Sequence, residues 1–257
     1  MEKLAAIEVL ARIEAVRSVH PEGIVAFDGD GTLWSGDVGD DFFHALVARA
    51  DFREIATRAM RVEAAEHGVP ADGDGATLAQ RIFDAHAAGR FPEERTYEIV
   101  TWACAGWSKG EMDRFAAEVI AGASLRARLH PEAVRALEWA RGVGIEVFVV
   151  SASPRAIVEQ AARAVGIDAA HVVASTPVLD GTIVQAEVES PIPYGVGKVV
   201  CLRAAIGDRP IHAAFGDNAF DVAMLAEARV PVAVRPKPRL RERAGEVPGL
   251  VEIAPEM

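Results

Sequence analysis

The sequence predicts an α/β fold in which a mostly parallel sheet is covered by helices on both faces. Two observations predict it. From about residue 131 onward, short apolar runs bounded by turn residues alternate with segments of helical apolar spacing, a pattern typical of βαβ units. Between residues 36 and 125 only helical spacing occurs, so this region is predicted to be an all-helical insert after the first strand.

The elements are expected in a definite order. Residues 2–18 have apolar side chains at helical spacing and predict an amphipathic helix that leads into a buried strand at 24–28. Helices are then predicted at 38–50, 52–67, 78–88, 92–105, 109–120 and 131–142. Further on we expect strands at 145–150, 171–174, 211–215 and 230–234, a hairpin at 178–183, helices at 154–165, 197–206 and 219–228, and a final helix and strand. The predicted division is a core of residues 1–35 and 126–257 and a helical domain of residues 36–125.

Composition narrows the functional classes. The chain has 257 residues, 51% of them hydrophobic, and a formal net charge of -11. This charge repels nucleic-acid backbones and anionic membrane surfaces, so neither is an expected partner. No apolar run has membrane-spanning length, and Glu2, Glu8 and Glu14 interrupt the N-terminal apolar residues, so no secretory signal is predicted. Two separated cysteines, Cys104 and Cys201, are typical of a reducing compartment, and we expect a cytoplasmic protein.

The first strand ends in two carboxylates. Asp28 closes the apolar run, and Asp30 follows one glycine later. In open parallel sheets, ligands bind at the carboxyl ends of the strands. We therefore interpret Asp28 as a nucleophile and Asp30 as an acid or base, both sharing a divalent cation. A tight Asp-Gly turn without chemistry explains the same residues.

Three later segments carry polar residues at comparable places. Ser151 ends the predicted strand 145–150, Lys198 opens a helix, and Asp217 and Asp221 follow another short apolar strand. Each also fits a structural role, as a helix cap, a turn or a solvated lysine. Taken together they indicate a phosphate site: Mg²⁺ binds carboxylate oxygens and substrate phosphate, while Ser151 and Lys198 supply phosphate contacts.

These segments resemble the four motifs of the haloacid-dehalogenase (HAD) superfamily in order and spacing. They read DGDGTLW at 28–34, VVSAS at 149–153, GK at 197–198 and GDNAFD at 216–221. The helical insert and the hairpin before the lysine are similar to the phosphoserine-phosphatase-like branch. The resemblance implies a Rossmann-like core with an inserted helical cap, and a phosphomonoesterase that forms an aspartyl-phosphate.

The resemblance also implies a role for each motif residue. Asp28 attacks phosphorus, and Asp30 protonates the leaving oxygen and then activates water. The phosphoryl oxygens are held by Ser151, Ala152 and Lys198. The expected cofactor is Mg²⁺, and its expected ligands are Asp28, Asp30, Asp217 and Asp221. The second carboxylate argues against a true dehalogenase, because a halide leaving group needs no proton.

The chain departs from the family pattern at three positions. Gly29 stands between the first two carboxylates, where the family usually has a bulky apolar residue. Asn218 and Phe220 stand where phosphoserine phosphatases have glycine and asparagine. These departures leave the carboxylates in place and affect how the loops position them.

Substrate recognition is predicted less fully. Asp37 lies where phosphoserine phosphatases have an acidic residue that contacts the substrate's ammonium group, although a helix cap explains it equally well. We expect Trp34 and Trp107 to be near the substrate, where their rings could hold a quaternary ammonium group. Tyr97 and Trp102 are interpreted as cap core. The arginine that binds the substrate carboxylate in the family has no clear counterpart.

The expected activity is Mg²⁺-dependent hydrolysis of a small phosphate ester, such as phosphoserine or a similar amine-bearing phosphate. Three alternatives stay open: a phosphorylcholine phosphatase, a phosphotransferase of the same superfamily, and a module that senses a phosphate ligand. The sequence also leaves open whether the protein is a monomer or a homodimer.

Overall fold

A seven-stranded parallel sheet forms the centre of the computed structural model, which describes residues 1–256. The strands are, in chain order, β1 (Glu2–Leu4), β2 (Ile24–Asp28), β3 (Glu146–Pro154), β4 (Val172–Ser175), β5 (Pro177–Asp180), β6 (Ile183–Val188), β7 (Ile211–Gly216), β8 (Val230–Val234) and β9 (Val251–Ile253). The order across the sheet is β1-β9-β8-β7-β2-β3-β4, and each neighbouring pair is parallel. Only β5 and β6 lie outside it, as an antiparallel hairpin.

The inner strands are apolar throughout because helices cover both faces of the sheet. Every residue of β2, β7 and β8 is buried. On β2, Val25 and Phe27 pack into the core on one face and Ile24 and Ala26 into the core on the other. Phe27 stacks on Phe215 of the adjacent strand, with ring centroids 4.3 Å apart. The centre of the sheet and the α/β class of the fold are therefore those that the apolar runs predict.

Helices occupy most of the remaining chain. They are α1 (Ala6–Val19), α2 (Val38–Arg49), α3 (Glu54–Glu66), α4 (Gly75–Ala87), α5 (Glu93–Trp102), α6 (Lys109–Gly122), α7 (Leu125–Arg128), α8 (Pro131–Gly142), α9 (Arg155–Ala164), α10 (Val196–Ile206), α11 (Val222–Ala226) and α12 (Pro238–Glu242). Helices α2 to α7 follow β2 and precede α8 and β3, and the described chain has no strand among them. This helical region is the predicted cap; its limits at residues 35 and 126 stay a prediction.

The β5–β6 hairpin contacts the cap as well as the core. Gly106 N donates to Val184 O at 2.8 Å, and Lys109 N donates to Thr182 O at 2.7 Å. The hairpin therefore connects the start of α6 to the chain that leads into α10.

The N-terminal prediction is wrong at its beginning. Residues 2–18 were expected to form one helix, but Glu2–Leu4 is a strand that pairs with β9, and the helix starts at Ala6. Leu4 is buried, which suits a helix and an edge strand equally. Pairing with a strand about 250 residues away has no local signal, so helical spacing was extended too far.

The predicted helix at 219–228 is also shorter than expected. A turn of 3-10 helix at Ala219–Asp221 precedes α11. Both cysteines are free thiols, and no helix in residues 1–256 has the combined length and apolar character needed to cross a bilayer.

Candidate active site

Asp28 lies at the carboxyl end of β2, between β3 and β7, where the sheet opens into a cavity of about 330 Å³. Its carboxylate is buried. Oδ1 accepts a hydrogen bond from Lys198 Nζ at 2.5 Å, whereas the buried Oδ2 has no hydrogen-bond partner in the described chain. Burial and the charge of Asp221 raise the pKa of Asp28 well above its usual value, against the effect of Lys198. A buried carboxylate oxygen without a partner is energetically costly unless a ligand completes it.

Asp30 is held by four hydrogen bonds in the turn that follows β2. Oδ1 accepts from the indole Nε1 of Trp34 at 2.8 Å and from Val38 N at 2.7 Å. Oδ2 accepts from the hydroxyls of Ser151, at 3.1 Å, and Ser153, at 2.9 Å. The carboxylate is thus fixed between the first turn of α2 and the end of β3.

The glycines of this turn are required by close approaches. Gly31 has φ +87°, and a Cβ there would lie 2.2 Å from Asp217 Oδ2. A Cβ at Gly29 would lie 2.8 Å from the ring of Trp34. The indole therefore occupies the space that a bulky residue between the carboxylates would need, which explains why this chain has glycine there.

The loop after β7 brings two more carboxylates to the same place. Asp221 Oδ2 accepts from Asp217 N at 3.0 Å and from Asn218 N at 2.9 Å, which closes the loop despite its departures from the family pattern. Asp221 Oδ1 accepts from Lys198 Nζ at 2.6 Å. Burial and Asp221 raise the pKa of Asp217 to about 6, although Lys237 Nζ lies 2.8 Å from Asp217 Oδ2.

The carboxylates of Asp28, Asp217 and Asp221 form a buried cluster in which one oxygen of each lies within 4.8 Å of the others. Oxygen donors at this spacing, together with the unpartnered Oδ2 of Asp28, fit a divalent cation such as Mg²⁺. Asp30 lies outside this cluster, and its carboxylate oxygens accept the hydrogen bonds described above. Its role as a metal ligand stays a prediction.

Lys198 is buried in the first turn of α10. The positive end of the helix dipole disfavours an ammonium group there. Burial would also lower the pKa of Lys198, but the charges of Asp221 and Asp28 outweigh it and raise the pKa above its usual value. Lys198 thus bridges two members of the cluster, the candidate nucleophile Asp28 and Asp221.

Ser151, Ala152 and Ser153 line the cavity at the end of β3. Pro154 occupies the cap position of α9, and no side chain caps this helix. The Ser153 hydroxyl instead donates to Asp30, and its backbone N–H donates to Ser151 Oγ at 3.0 Å. We call the residues contributed by the strand ends and α10 the floor of the cavity: Asp28, Ser151, Lys198, Asp217 and Asp221.

Asp37 is both a helix cap and a cavity residue. Its Oδ1 accepts from Gly39 N at 2.7 Å and Asp40 N at 3.0 Å at the start of α2, and the side chain also lines the cavity. Burial raises the pKa of Asp37 well above its usual value, and the charges of Asp30 and Asp40 raise it further. The helix-cap interpretation is therefore confirmed, and the contact with a substrate ammonium group stays a prediction.

The two tryptophans expected at the substrate are not there. Trp34 and Trp107 are buried and neither lines the cavity. Trp34 packs beneath the Asp30 turn, and Trp107 packs edge-on against Phe115, its Nε1 donating to Asp51 O at 3.0 Å. Sequence reasoning could not separate rings that face a cavity from rings in the core.

Other aromatic rings take their place. Tyr97, interpreted as cap core, lines the cavity with Tyr194 and Phe220, whereas Trp102 is buried as expected. The only sequence signal for Tyr194 and Phe220 is their position beside Lys198 and Asp217. We call the residues on this side of the cavity the wall: Asp37, Asp40, Tyr97, Tyr194 and Phe220. Lys237 also lines the cavity.

The parallel-sheet core, its helical insert and the carboxylate-lined cavity together define a hydrolase with an inserted helical cap. The chain belongs to the haloacid dehalogenase-like hydrolase family, whose profile matches residues 25–226. It is 28% identical over 230 residues to a phosphoserine phosphatase of Polaromonas sp. (strain JS666 / ATCC BAA-500), a match that covers 86% of this chain and 82% of the relative. Family membership and a hydrolase of the phosphatase type are thereby confirmed.

Solved structures share the fold at low identity. A Bordetella pertussis Tohama I protein of unknown function is 22% identical, with a TM-score of 0.69 over 91% of this chain and 98% of that one. A substrate-bound phosphoserine phosphatase is 17% identical, with a TM-score of 0.51 over 90% of this chain and 92% of that one. The helical region between β2 and β3 thus belongs to a fold that solved structures share.

Proposed function

We propose that the protein is a Mg²⁺-dependent hydrolase of a small phosphomonoester that transfers the phosphoryl group first to Asp28. The single observation that supports this most is the convergence of Asp28, Asp30 and Lys198 with the buried carboxylate cluster in one cavity. An amine-bearing phosphate is the proposed substrate class, and phosphoserine, named in the relative from Polaromonas, is one candidate within it.

In the first step, a carboxylate oxygen of Asp28 attacks phosphorus as the bond to the ester oxygen breaks. The electron pair of the broken bond goes to the leaving oxygen, and Asp30 supplies its proton. Four hydrogen-bond donors fix the Asp30 carboxylate for this transfer.

In the second step, Asp30 takes a proton from water, and the water oxygen attacks phosphorus. The bond to Asp28 breaks, which releases inorganic phosphate and restores the carboxylate. Lys198, Ser151 and the backbone at Ala152 would hold the phosphoryl oxygens during both steps. Mg²⁺, held by Asp28, Asp217 and Asp221, would offset the charge of the carboxylates and of the phosphoryl group.

Phosphate release from an aryl phosphate tests this proposal. Protein stripped with a chelator should be inactive and should recover activity on addition of Mg²⁺. Asp28→Asn should lower kcat by about 10⁴-fold or more, because it removes the nucleophile. Asp208→Asn, an exposed position away from the cavity, is the matched control and should retain full activity.

Two results would contradict the proposal. One is the absence of phosphate release from every ester tested by folded, Mg²⁺-loaded protein. The other is full activity in Asp28→Asn. Adding an alcohol acceptor and analysing the products then distinguishes hydrolysis from transfer to another hydroxyl.

A further inference from the structure

The cavity is strongly acidic. Six carboxylates and two lysines are among the side chains that line it, and within residues 1–256 no arginine or histidine lines it. The two lysines are also already paired. Lys198 contacts Asp28 and Asp221, and Lys237 contacts Asp217 at 2.8 Å. The cavity therefore offers no free cation to a substrate carboxylate.

The cap arginine two residues before Tyr97 is engaged elsewhere. Arg95 forms ion pairs with Glu63 and Glu98, and it does not line the cavity. Burial raises the pKa of Asp40 above its usual value, although the nearby His44 and His86 act to lower it. Neither histidine lines the cavity.

The acidic part of the wall lies next to the leaving-group acid. Ser153 Oγ is 2.9 Å from Asp30 Oδ2 and 3.3 Å from Asp37 Oδ1, so one hydroxyl links the two carboxylates. Asp40 lines the cavity one helical turn from Asp37, and its carboxylate has no hydrogen-bond partner in the described chain. An ammonium group a few bonds from the ester oxygen would reach these carboxylates while Asp30 protonates that oxygen.

The aromatic part of the wall forms a continuous row. The ring centroids of Tyr97 and Tyr194 are 5.7 Å apart, and those of Tyr194 and Phe220 are 4.7 Å apart. Burial raises the pKa of Tyr97 well above its usual value. The charges of the nearby Asp37, Asp30 and Asp40 raise it further. Aromatic faces beside carboxylates attract alkylated as well as primary ammonium groups.

We infer that the alcohol released from the substrate carries an ammonium group and no carboxylate, with Asp37, Asp40 and the aromatic row as its binding surface. This inference rests on the proposed function and narrows it. A carboxylate on the released alcohol would meet the like charges of Asp37 and Asp40, whereas a neutral alcohol would give these two half-buried carboxylates no counter-ion.

The direct test compares kcat/KM for four esters with Mg²⁺-loaded protein: phosphoethanolamine, phosphocholine, phosphoserine, and the carbon isostere of phosphocholine in which carbon replaces nitrogen. At least one of the two cationic esters without a carboxylate should exceed both phosphoserine and the neutral isostere by about tenfold or more. Comparison of phosphoethanolamine with phosphocholine separates a primary from a quaternary ammonium group.

Variants localise the effect. Asp40→Asn should reduce the ratio of kcat/KM for the preferred cationic ester to that for the neutral isostere by about tenfold, through a higher KM for the cationic ester. Asp84→Asn, which removes one exposed charge from α4 of the same cap, is the matched control and should leave the ratio unchanged. Tyr97→Leu should lower the same ratio, and Tyr97→Phe should retain it, because phenylalanine keeps the ring.

The outcomes separate this inference from the proposed function. If an aryl phosphate is hydrolysed but phosphoserine or the neutral isostere equals the cationic esters, the inference is wrong and the hydrolase proposal stands. If Asp84→Asn changes the ratio as much as Asp40→Asn, overall charge rather than the wall selects the substrate, and the inference is also wrong. If no ester is hydrolysed at all, the proposed function itself fails.

Discussion

The floor and the wall of the cavity are built in different ways. The floor residues are buried at or just after strand ends and in the first turn of α10, where Lys198 forms short ion pairs with Asp28 and Asp221. The wall residues are partly exposed and come from α2, α5 and two loops. A rigid sheet edge suits chemistry that needs fixed atoms, whereas helices and loops can vary to suit different leaving groups.

This difference leads to separate expectations for the two regions. Changes in the floor should affect every substrate alike, because all phosphate esters share the reacting group. Changes in the wall should affect the ratio between substrates. The predictions below test this separation in order of decreasing effect on catalysis.

After Asp28 itself, the largest effect is expected at Lys198. Lys198→Met should lower kcat/KM by about 10²- to 10³-fold for all esters, because it removes a buried positive charge beside Asp28 and Asp221. Lys237→Met is the matched control: its side chain is 52% exposed and pairs with Asp217 alone, so a loss of about tenfold or less is expected. Equal losses in the two variants, measured by steady-state kinetics, would contradict the special role of the floor lysine.

The next effect concerns metal binding. Asp217→Asn should weaken Mg²⁺ binding by about 10- to 100-fold, since it removes one carboxylate of the buried cluster. The activation constant for Mg²⁺, measured with an aryl phosphate, reports the change. Asp40→Asn, a carboxylate of the wall, should leave that constant unchanged. An unaltered activation constant for Mg²⁺ in Asp217→Asn would show that Asp217 is not a metal ligand.

A smaller effect is expected beneath the Asp30 turn. Trp34→Phe removes the indole donor to Asp30 Oδ1 and should lower kcat about tenfold for alkyl phosphates, whose leaving oxygen needs a proton. The loss should be smaller for an aryl phosphate. Trp107→Phe, an equally buried substitution away from the cavity, serves as the control and should not change this ratio. Identical losses for both substrates would mean that Trp34 has only a packing role.

A buried carboxylate outside the cavity completes the comparison. Glu132 is fully buried and pairs with Arg235 through Nε at 2.6 Å. Burial would raise the pKa of Glu132, but the hydrogen bonds from Arg235 and from backbone N–H groups lower it overall. We expect Glu132→Gln to cost about 1 to 2 kcal/mol of unfolding free energy at pH 7 without changing kcat/KM.

The sign of the pH dependence follows from the lowered pKa. Glu132 contributes its stability above its ordinary pKa of 4.5 and loses it as the pH falls through the folded-state value. The difference between wild type and Glu132→Gln in urea unfolding should therefore narrow below about pH 4.5. A difference that widens on acidification would contradict the assignment of this ion pair.

One kind of sequence signal predicted most of the sheet and the three floor residues at or just after its strand ends. Apolar runs too short for helices, each followed by polar residues, located β2, β3 and β7, and parallel pairing brings their ends together. Asp28, Ser151 and Asp217 thus lie where the predicted strand ends placed them. The short strand β1 had no such signal, because its pairing with β9 depends on the distant end of the chain.

The wall could not be predicted in the same way. Side-chain direction on a helix or loop depends on packing. Helical spacing assigned Tyr97 to the core although it lines the cavity, and Trp107, expected near the substrate, is buried and does not line it. The same limit applies to Asp30, because its place in the sequence gave no signal for the hydrogen bonds that its carboxylate accepts from Ser151 and Ser153. Sequence order located the loops but not the directions of their side chains.

The central claim is that phosphoryl transfer passes through Asp28. Asp30→Asn protein, incubated with an aryl phosphate that carries labelled phosphorus and quenched in acid, tests it most directly, because aryl leaving groups need little protonation while water activation is lost. The account predicts labelled protein, with the label in the peptide that contains Asp28, and no label in the Asp28→Asn, Asp30→Asn double variant. Label on another residue, or rapid turnover by Asp30→Asn without any labelled protein, would contradict it.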